Sequence, residues 1–556
     1  MSIGELLLEK GLITPQSLAE ALELRKKSGG RLDRILVELG AVGEEQVLKV
    51  MSEQLHIPMV DLSAVKIDVD ILRSLPPKLV FRRGLVPLEK TNGLLRVATA
   101  DPFDLYALDE MRLLTGLEVE PVLAPSGEID KIIKTYYGVG GDTVEQMMDS
   151  ADLQVVSEGG DGSDDLLEQA QEASVVKLVN EIFIEALKER SSDIHIEPYD
   201  NDLKIRYRVD GVLQETVMPP QIRRFQAAIV SRIKIMANMN IAEKRLPQDG
   251  RIKLQMGGRQ IDVRVSVIPM LFGEGVVMRL LDKSTVQYTL PQLGMAQDTF
   301  AVFNKLIERP HGIILVTGPT GSGKTTTLYA ALGEIVSSEI KVLTIEDPVE
   351  YHLEGVNQIN VAPKIGLTFG RGLRHILRHD PDVVMIGEIR DLETAEAAVQ
   401  AALTGHLVLS TLHTNDSCSS ATRLLDMGME PFLVTSTLEA AMAQRLVRTI
   451  CPKCKQPRQY DPSQLPADFN YRPGEVLHSG AGCKKCRGTG YYGRSGLFEL
   501  MLTTDRIREK IMSRSQASDI VTEAKRDGLR VLREDGWLKV RAGITTVEEV
   551  IRATKA

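Results

Sequence analysis

Residues 313–327 read IILVTGPTGSGKTTT, and this stretch decides the fold. Positions 318–325 match the phosphate-loop pattern G-x-x-x-x-G-K-[ST], with a short apolar strand before them and a predicted helix after them. Glycines let the backbone curl so that its N–H groups face a polyphosphate, while Lys324 reaches the β- and γ-phosphates and the Thr325 hydroxyl binds Mg²⁺. The stretch therefore predicts a site for a nucleoside triphosphate. Its contact residues would be Gly318, Pro319, Thr320, Gly321, Ser322, Gly323, Lys324, Thr325 and Thr326.

Acidic side chains follow the next two predicted strands. The segment 342–345 is predicted to be a strand that leads into Glu346, Asp347 and Glu350. The apolar segment 383–386 is a second strand, and Glu388 comes after it. Carboxylates at the carboxyl end of a strand lie at the ligand edge of an open sheet, where they can orient Mg²⁺ or polarise a water molecule. These acids are therefore predicted to face the phosphate loop.

Arginines and histidines surround the same motifs. The arginines lie on either side of the second acidic motif in the sequence. The histidines lie at the two ends of a strand predicted at 407–410, after a helix that is rich in small residues and stops at a glycine. A structural role is the alternative for a lone histidine, and a contact with nucleotide or across a subunit seam is the expectation within the full motif set. The residues concerned are Arg374, Arg378, Arg390, His406 and His413.

Five cysteines include two C-x-x-C pairs. Four thiolates with this spacing can bind one tetrahedral zinc ion, and four protein ligands leave no open position for chemistry. The sequence therefore predicts a structural zinc site, with free thiols as the alternative. Its ligands would be Cys451, Cys454, Cys483 and Cys486, while Cys418 is expected to be a small buried residue.

Length and composition limit the class of protein. A chain of 556 residues is expected to form three or four domains, and a net charge of −9 with 4% aromatic residues argues against a nucleic-acid partner. The N-terminus lacks the positively charged segment with which a signal peptide begins. No apolar run reaches the 18 residues that a membrane span needs. We therefore expect a cytoplasmic protein that reaches a membrane only through partners.

The pattern divides the chain into six segments. Residues 1–60 hold a repeat of two helical units, and 139–171 are an acidic linker rich in Gly, Asp and Ser. Residues 61–138 mix strands and helices, with a strand at 94–102 that leads through a turn into a helix at 105–115. Residues 172–284 form a further α/β domain, in which the alternating strand 203–209 places Arg206 and Arg208 on one polar face. A solvated strand face is the alternative to a functional role for these arginines. Residues 285–294 are a hinge, and 295–556 alternate strands and helices as a doubly wound α/β domain. Its cysteine pairs lie in an insert at 451–486, and its tail, 497–556, is predicted to consist of amphipathic helices.

Several motifs in this order resemble those of the type II secretion and type IV pilus assembly ATPases. These are DIHIEP, RYRVDG, IEDPVE, IGEIRD and TGHLVLSTLHTN, and the resemblance covers essentially the whole chain. It implies a RecA-like P-loop motor domain, a PAS-like α/β domain before it, and helical and α/β modules at the N-terminus. It also implies that Glu350 is the general base, that Glu388 organises Mg²⁺, and that Arg206 and Arg208 approach ATP across a subunit seam.

The same resemblance leads to functional expectations. The chain would be a hexameric ATPase that hydrolyses ATP with Mg²⁺, carries a structural Zn²⁺, and drives pilus extension through an inner-membrane platform protein. Residues 1–138 would bind cytoplasmic accessory proteins. A type II secretion ATPase shares these motifs, and a DNA-translocating ATPase is the rival from another class. In some members of the family the N-terminal module binds cyclic di-GMP. The repeat units here open at residues 2–4 and 31–33 without the full family motif, so we expect a plain helical docking module, with cyclic di-GMP binding as the alternative.

Overall fold

The computed structural model describes residues 3–28, 31–62, 65, 71, 80, 83–91, 93–137, 173–256, 259–282, 288–472 and 474–555. The predicted linker at 139–171 and the first part of the predicted hinge lie outside these residues. The chain divides into two compact units, Met1–Asp282 and Lys283–Ala556.

The first unit begins with the repeat that the sequence predicts. Each repeat is a short helix, a glycine and a second helix, and both glycines, Gly11 and Gly40, have the left-handed backbone (φ 67° and 69°) that ends a helix. Thr14 caps the second helix, because its hydroxyl accepts the N–H of Ser17 at 3.1 Å. Leu7 and Leu36, at equivalent positions of the two units, are fully buried. The helices are α1 Ile3–Glu9, α2 Pro15–Ser28, α3 Leu32–Glu38 and α4 Glu44–Leu55.

A three-stranded sheet follows, in the order β1-β2-β3. The predicted strand and helix around residues 94–115 are confirmed. Asp104 caps the helix by accepting the N–H of Ala107, and Gly116, with φ 65°, ends it. The elements are β1 Leu85–Thr91, β2 Leu94–Thr99, α5 Leu105–Thr115, β3 Glu118–Leu123 and α6 Ser126–Tyr137.

The last part of the first unit is a six-stranded antiparallel sheet, in the order β6-β5-β4-β9-β8-β7. Period-2 alternation gives it one apolar face, where Ile194, Ile205 and Tyr207 are buried, and one charged face. The elements are α7 Ala173–Lys188, β4 Asp193–Pro198, β5 Leu203–Val209, β6 Val212–Thr216, α8 Gln226–Met236, β7 Gln248–Met256, β8 Arg259–Met270 and β9 Gly273–Asp282.

The second unit is built on a seven-stranded sheet, in the order β12-β11-β13-β14-β10-β15-β18, where β15 is Leu438–Ile450 and β18 is Tyr491–Leu502. All neighbours are parallel except β18, which pairs antiparallel with β15. Alternate residues of β10 enter two separate cores, with Ile313 on one face and Ile314 on the other. Helices cover both faces, as the doubly wound prediction requires. The elements up to β14 are α9 Gln297–Ile307, β10 Gly312–Thr317, α10 Lys324–Ile335, β11 Val342–Glu346, β12 Val356–Asn360, α11 Phe369–Ile376, β13 Val383–Ile386, α12 Leu392–Leu403 and β14 Leu407–Leu412.

The C-terminal part corrects one expectation. The segment from 497 was predicted to begin the terminal helices, but 497–502 is the end of a long strand that pairs with β15. Helices occupy only the residues after it. The elements are α13 Ser419–Asp426, α14 Pro431–Thr437, β15 Leu438–Ile450, β16 Lys455–Arg458, β17 Leu477–Gly480, β18 Tyr491–Leu502, α15 Asp505–Met512, α16 Ala517–Arg526, α17 Leu532–Arg541 and α18 Val547–Thr554.

Candidate active site and metal centre

The phosphate loop, residues 318–325, connects β10 to α10. Gly318, Gly321 and Gly323 have positive φ angles of 148°, 79° and 89°, which side chains rarely adopt. A Cβ atom at Gly318 would also lie 2.6 Å from the carbonyl oxygen of Gln444 on β15. The loop can therefore curl only because glycines occupy these positions.

Lys324 lies over this loop. Its Nζ donates to the carbonyl oxygens of Gly318 and Pro319 at 2.8 and 3.2 Å. Burial lowers the pKa of Lys324 to about 8, a shift that the nearby carboxylate of Glu388 opposes and that Arg445 reinforces. The lysine is thus a desolvated cation held beside an acidic residue.

The loop fits a phosphate group. Ser322 Oγ is buried and has no hydrogen-bond partner among the described residues. Lys324 and Thr325 lie in the first turn of α10, where free backbone N–H groups and the helix dipole favour an anion. An orphan hydroxyl, a lysine and a helix N-terminus together form the donor set that a polyphosphate requires.

Glu388 meets a histidine and an arginine where the parallel strands end. It follows β13, and its carboxylate accepts from Arg390 and lies 3.3 Å from Nε2 of His413, which follows β14. The Glu388 side chain is only 14% exposed. Because β13, β14 and β10 are adjacent, their carboxyl ends bring these residues to the same edge as the phosphate loop.

The acidic residues around β11, Glu346 and Glu350, have different surroundings. Glu346 is buried and accepts from Thr344 Oγ1 at 2.6 Å and from the hydroxyl of Tyr329. Burial raises the pKa of Glu346. The sequence predicted a nucleotide contact for Glu346, whereas the structure uses both of its oxygens inside the protein. Glu350 lies close by, and its backbone N–H donates to Tyr329 at 3.3 Å.

The charge of Asp347 reaches the side chain of Arg390, where it favours the protonated guanidinium and helps to raise the pKa of that group. Glu388 makes the larger contribution to the same shift, through its hydrogen bond. Asp347 is therefore near enough to Arg390 for their charges to interact.

Two predicted contacts are not brought to the phosphate loop of this chain. His406 precedes β14, and its Nδ1 lies 2.9 Å from the carbonyl oxygen of Ala401, at the opposite edge of the sheet from His413. Arg378 precedes His379, whose carbonyl accepts from Lys341 where β11 begins, so it also lies toward that opposite edge. Strand direction is the reason in both cases, because residues before a parallel strand cannot lie where it ends. Arg374, another predicted contact, pairs with Glu393 at the start of α12, which follows β13.

The structure adds one cation that the sequence did not single out. Arg445, on β15, would lie 3.2 Å from a Cβ atom at Gly318. Its Nη2 donates to the backbone and side-chain oxygens of Asn415 at 3.0 and 3.2 Å. The signal in the sequence was the polar pair Gln444-Arg445 inside the apolar run AAMAQRLV.

Arg206 and Arg208 lie in the first unit, on the charged face of the six-stranded sheet. Nη2 of Arg206 donates to Glu197 at 2.7 Å, and Arg208 Nε lies 3.7 Å from Asp193. Both arginines are half-buried, and both acidic partners are on the neighbouring strand β4. A functional contact would therefore compete with these ion pairs.

The four predicted metal ligands meet between β15 and β18. Their sulfur atoms all lie within 4.8 Å of one another, and three of the pairs are 3.7 Å apart. Zinc bound to four thiolates at about 2.3 Å places the sulfur atoms about 3.8 Å apart, so the spacing fits a tetrahedral ion. The backbone N–H of Gly490 donates to Cys486 Sγ at 3.3 Å, which stabilises a thiolate.

The metal centre is remote from the phosphate loop. Along β15, Ala443 pairs with Thr317 at the start of the loop, and Cys451 comes eight residues later. Eight residues of strand span roughly 26 Å. A zinc ion here would act on the fold of the insert, not on the reacting phosphate.

Comparisons with known proteins agree with these observations. A family model described as type II/IV secretion system protein matches residues 168–552, which is more than half of the chain. A second model, the MshEN domain, matches residues 55–143. The sequence interpretation had placed its N-terminal family module earlier, on the repeat within residues 1–60.

Curated relatives align along almost the full length. The type IV pilus assembly ATPase PilB of Myxococcus xanthus is 44% identical over 559 residues, covering 99% of this chain and 98% of that protein. Type II secretion system protein E of Xanthomonas campestris is 44% identical over 568 residues, covering 100% and 98%. Type II secretion system protein E of Klebsiella pneumoniae is 51% identical over 490 residues, covering 85% and 97%.

Proposed function

This chain is an ATPase of the type II/IV secretion system family, and from that membership we propose that its ATP hydrolysis drives the extension of a type IV pilus. ATP hydrolysis is supported by one observation: Lys324, Glu388 and His413 lie close together at one edge of the sheet. The pilus assignment is supported by the alignment with a pilus assembly ATPase over 99% of the chain. Alignment of similar extent with a secretion protein makes type II secretion the second candidate.

We propose a division of labour at the site. The phosphate loop and Lys324 bind the β- and γ-phosphates, and Glu350 acts as the general base for the attacking water. Thr325 and Glu388 would hold Mg²⁺, which supplies positive charge to the phosphates when it is bound. His413 keeps Glu388 in place and can approach the γ-phosphate. Arg390 holds the other side of the Glu388 carboxylate.

The proposed assembly is a homohexamer that acts on an inner-membrane platform protein. Among the described residues, no helix combines the length and apolarity needed to cross a bilayer. We therefore propose a cytoplasmic protein that is held at the inner membrane by that partner. The structural zinc would hold the cysteine insert together within each subunit.

For the N-terminal modules we propose accessory-protein docking. Arg31 opens the second repeat, and its guanidinium is already bound to Asp33 at 2.9 Å and to Asp101, while it stacks on Phe103. A cyclic dinucleotide would have to replace these contacts. Calorimetric titration with cyclic di-GMP tests this choice, and binding with a Kd of about 1 μM or tighter would assign the module to nucleotide sensing instead.

The deciding experiment removes the gene from the organism that encodes it and scores pili and secreted enzymes in the same cells. Pilus loss with normal secretion, restored by the wild-type gene but not by a Lys324→Ala copy, is the expected result. Loss of secretion with normal pili would assign the chain to type II secretion. Adding DNA to the purified enzyme should leave its turnover unchanged, and strong stimulation by DNA would favour a translocase.

A further inference from the structure

One loop contacts several parts of the proposed site. We call residues 413–418, which follow β14, the β14 loop. At its start His413 lies 3.3 Å from Glu388, and in its middle Asn415 accepts two hydrogen bonds from Arg445. The conformation of the β14 loop therefore sets the positions of both the histidine and the arginine.

The far end of this loop is held by a buried carboxylate. Glu499, on β18, is 3% exposed. Its Oε1 accepts from the backbone N–H and the hydroxyl of Ser417, at 2.8 and 2.6 Å. Its Oε2 accepts the N–H of Leu532, the first residue of α17, at 3.1 Å. One side chain thus joins the β14 loop to a C-terminal helix.

The chemistry of this junction requires a carboxylate. Both of its oxygens face donors, and a backbone N–H at the start of a helix has no partner within the helix itself. Burial raises the pKa of Glu499, while the donated hydrogen bonds favour its charged form. An amide in the same place would turn an NH₂ group toward one of the donors, so one of the two connections would be lost.

We propose that Glu499 is a positioning residue for ATP hydrolysis. Through Ser417 it fixes the β14 loop, so that His413 and Asn415 stay where the parallel strands end. Through Leu532 it ties that loop to α17. Glu499 itself touches neither nucleotide nor metal. This inference rests on the proposed active site and adds to it a residue that lies outside the sequence motifs.

The main test is steady-state kinetics of full-length Glu499→Gln. Because a misplaced group about 1 Å from its productive position can cost ~10²-fold in rate, we expect kcat to fall by about 10- to 100-fold. The KM for ATP should stay within about threefold of wild type, since the phosphate loop is untouched. Glu549→Gln is the matched control, because this carboxylate is equally buried but binds Arg448 and Arg552.

A double-mutant cycle separates positioning from a general loss of structure. If Glu499 acts through the β14 loop, Glu499→Gln should lower kcat much less when His413 is already alanine. Ser417→Ala removes only one donor and should lower kcat by about three- to tenfold, the scale of one hydrogen bond. This milder variant carries the test if Glu499→Gln does not fold.

Three results would overturn the proposal. They are an unchanged kcat in both variants, additivity of their effects with His413→Ala, and an equal loss in Glu549→Gln. Lys324→Ala distinguishes this failure from failure of the active-site assignment. If Lys324→Ala is inactive and the Glu499 and Ser417 variants are normal, only the positioning role is wrong.

Discussion

Arg445 places a second cation beside the phosphate loop from within the same unit. It is held by Asn415. Burial is the main cause of the lowered pKa of Lys324, and the charge of Arg445 lowers that pKa further, so the two cations repel each other across the loop. Two neighbouring cations repel in the empty site and are both stabilised when an anionic phosphate lies between or beside them. We therefore expect Arg445 to help bind the charge that develops on the phosphates.

We predict that Arg445→Ala lowers kcat/KM for ATP by about 10²-fold or more, the scale of losing one preorganised donor at a developing charge. Steady-state ATPase assays measure this change. Arg448→Ala is the control, because Arg448 lies on the same strand but is held by Glu549. Normal kcat/KM in Arg445→Ala would remove this arginine from the site.

Glu350 and Glu388 can be separated by their dependence on Mg²⁺. Glu350→Gln should bind ATP and hydrolyse it at least ~10²-fold more slowly, as expected when a general base is lost. Glu388→Gln should also raise the Mg²⁺ concentration that gives half-maximal activity, because it removes a metal-organising carboxylate. Titrations of activity with Mg²⁺ measure both effects. Full activity in Glu350→Gln would transfer the role of base to Glu388.

At the scale of helices and strands, the local sequence predicts the bounds of an element when its own residues mark where it begins and ends. The strand at 383–386 and the helix at 105–115 have the predicted bounds, because short apolar runs, caps and glycines mark their ends. The strand end at 497–502 was missed because only pairing with β15 defines it. Arg445 and Glu499 were missed for a related reason, since their partners lie far away in the sequence.

His406 and Arg378 lie at the other edge of the sheet from the phosphate loop of their own chain, so a contact with nucleotide there would have to be made across a subunit seam. Both precede parallel strands, so strand direction alone assigns them to the edge opposite the phosphate loop. That information was present in the sequence, but the interpretation grouped these residues with His413 and Arg390 by proximity along the chain. A position before a strand and a position after it are far apart in a parallel sheet, even when only a few residues separate them.

The cysteine insert is an element whose stability should depend on metal. We predict about one zinc ion per chain in reduced protein, measured by metal analysis. Cys483→Ser should lower the zinc content and increase hydrogen exchange in residues 451–490, because metal binding supplies folding free energy to such a small subdomain. ATP affinity should change little, since the site is roughly 20 Å or more from the phosphate loop.

Cys418 provides the control for the zinc prediction. It is fully buried and lies outside the cysteine cluster, and burial raises the pKa of its thiol to about 12. Cys418→Ala should therefore keep the zinc. Wild-type protein that contains well under one zinc per chain, when purified under reducing conditions, would contradict the assignment.

At the scale of the whole molecule, the predicted catalytic arginines and the phosphate loop belong to different compact units. Arg206 and Arg208 are paired with Glu197 and Asp193 on the neighbouring strand. If these arginines act on ATP, they must exchange a carboxylate for a phosphate group. In other phosphoryl-transfer enzymes, an arginine that contacts the phosphoryl group during its transfer typically raises kcat by about 10³–10⁵-fold.

We therefore predict that activity depends on assembly into a ring and rises with protein concentration. Arg206→Ala or Arg208→Ala should cut turnover strongly and leave ATP affinity within about tenfold, because the phosphate loop itself remains. Lys204→Ala is the control on the same polar face, since that lysine pairs with Glu215 at the rim. Turnover and nucleotide titrations measure the two quantities separately.

The decisive experiment mixes wild-type chains with Lys324→Ala chains at a constant total concentration. If arginines from one subunit complete the site of another, an inactive subunit still supplies its arginines but cannot turn over its own ATP. If the subunits of a ring hydrolyse ATP one after another, one inactive subunit stops the whole cycle. Activity should then fall more steeply than the fraction of wild-type chains. When the Lys324→Ala chains also carry Arg206→Ala, ATPase activity should fall further, because those chains no longer supply Arg206 to the site of the neighbouring subunit. An equal loss whether or not the Lys324→Ala chains also carry Arg206→Ala, or a fully active monomer, would rule out this mechanism and leave Arg445 as the arginine beside the phosphate loop.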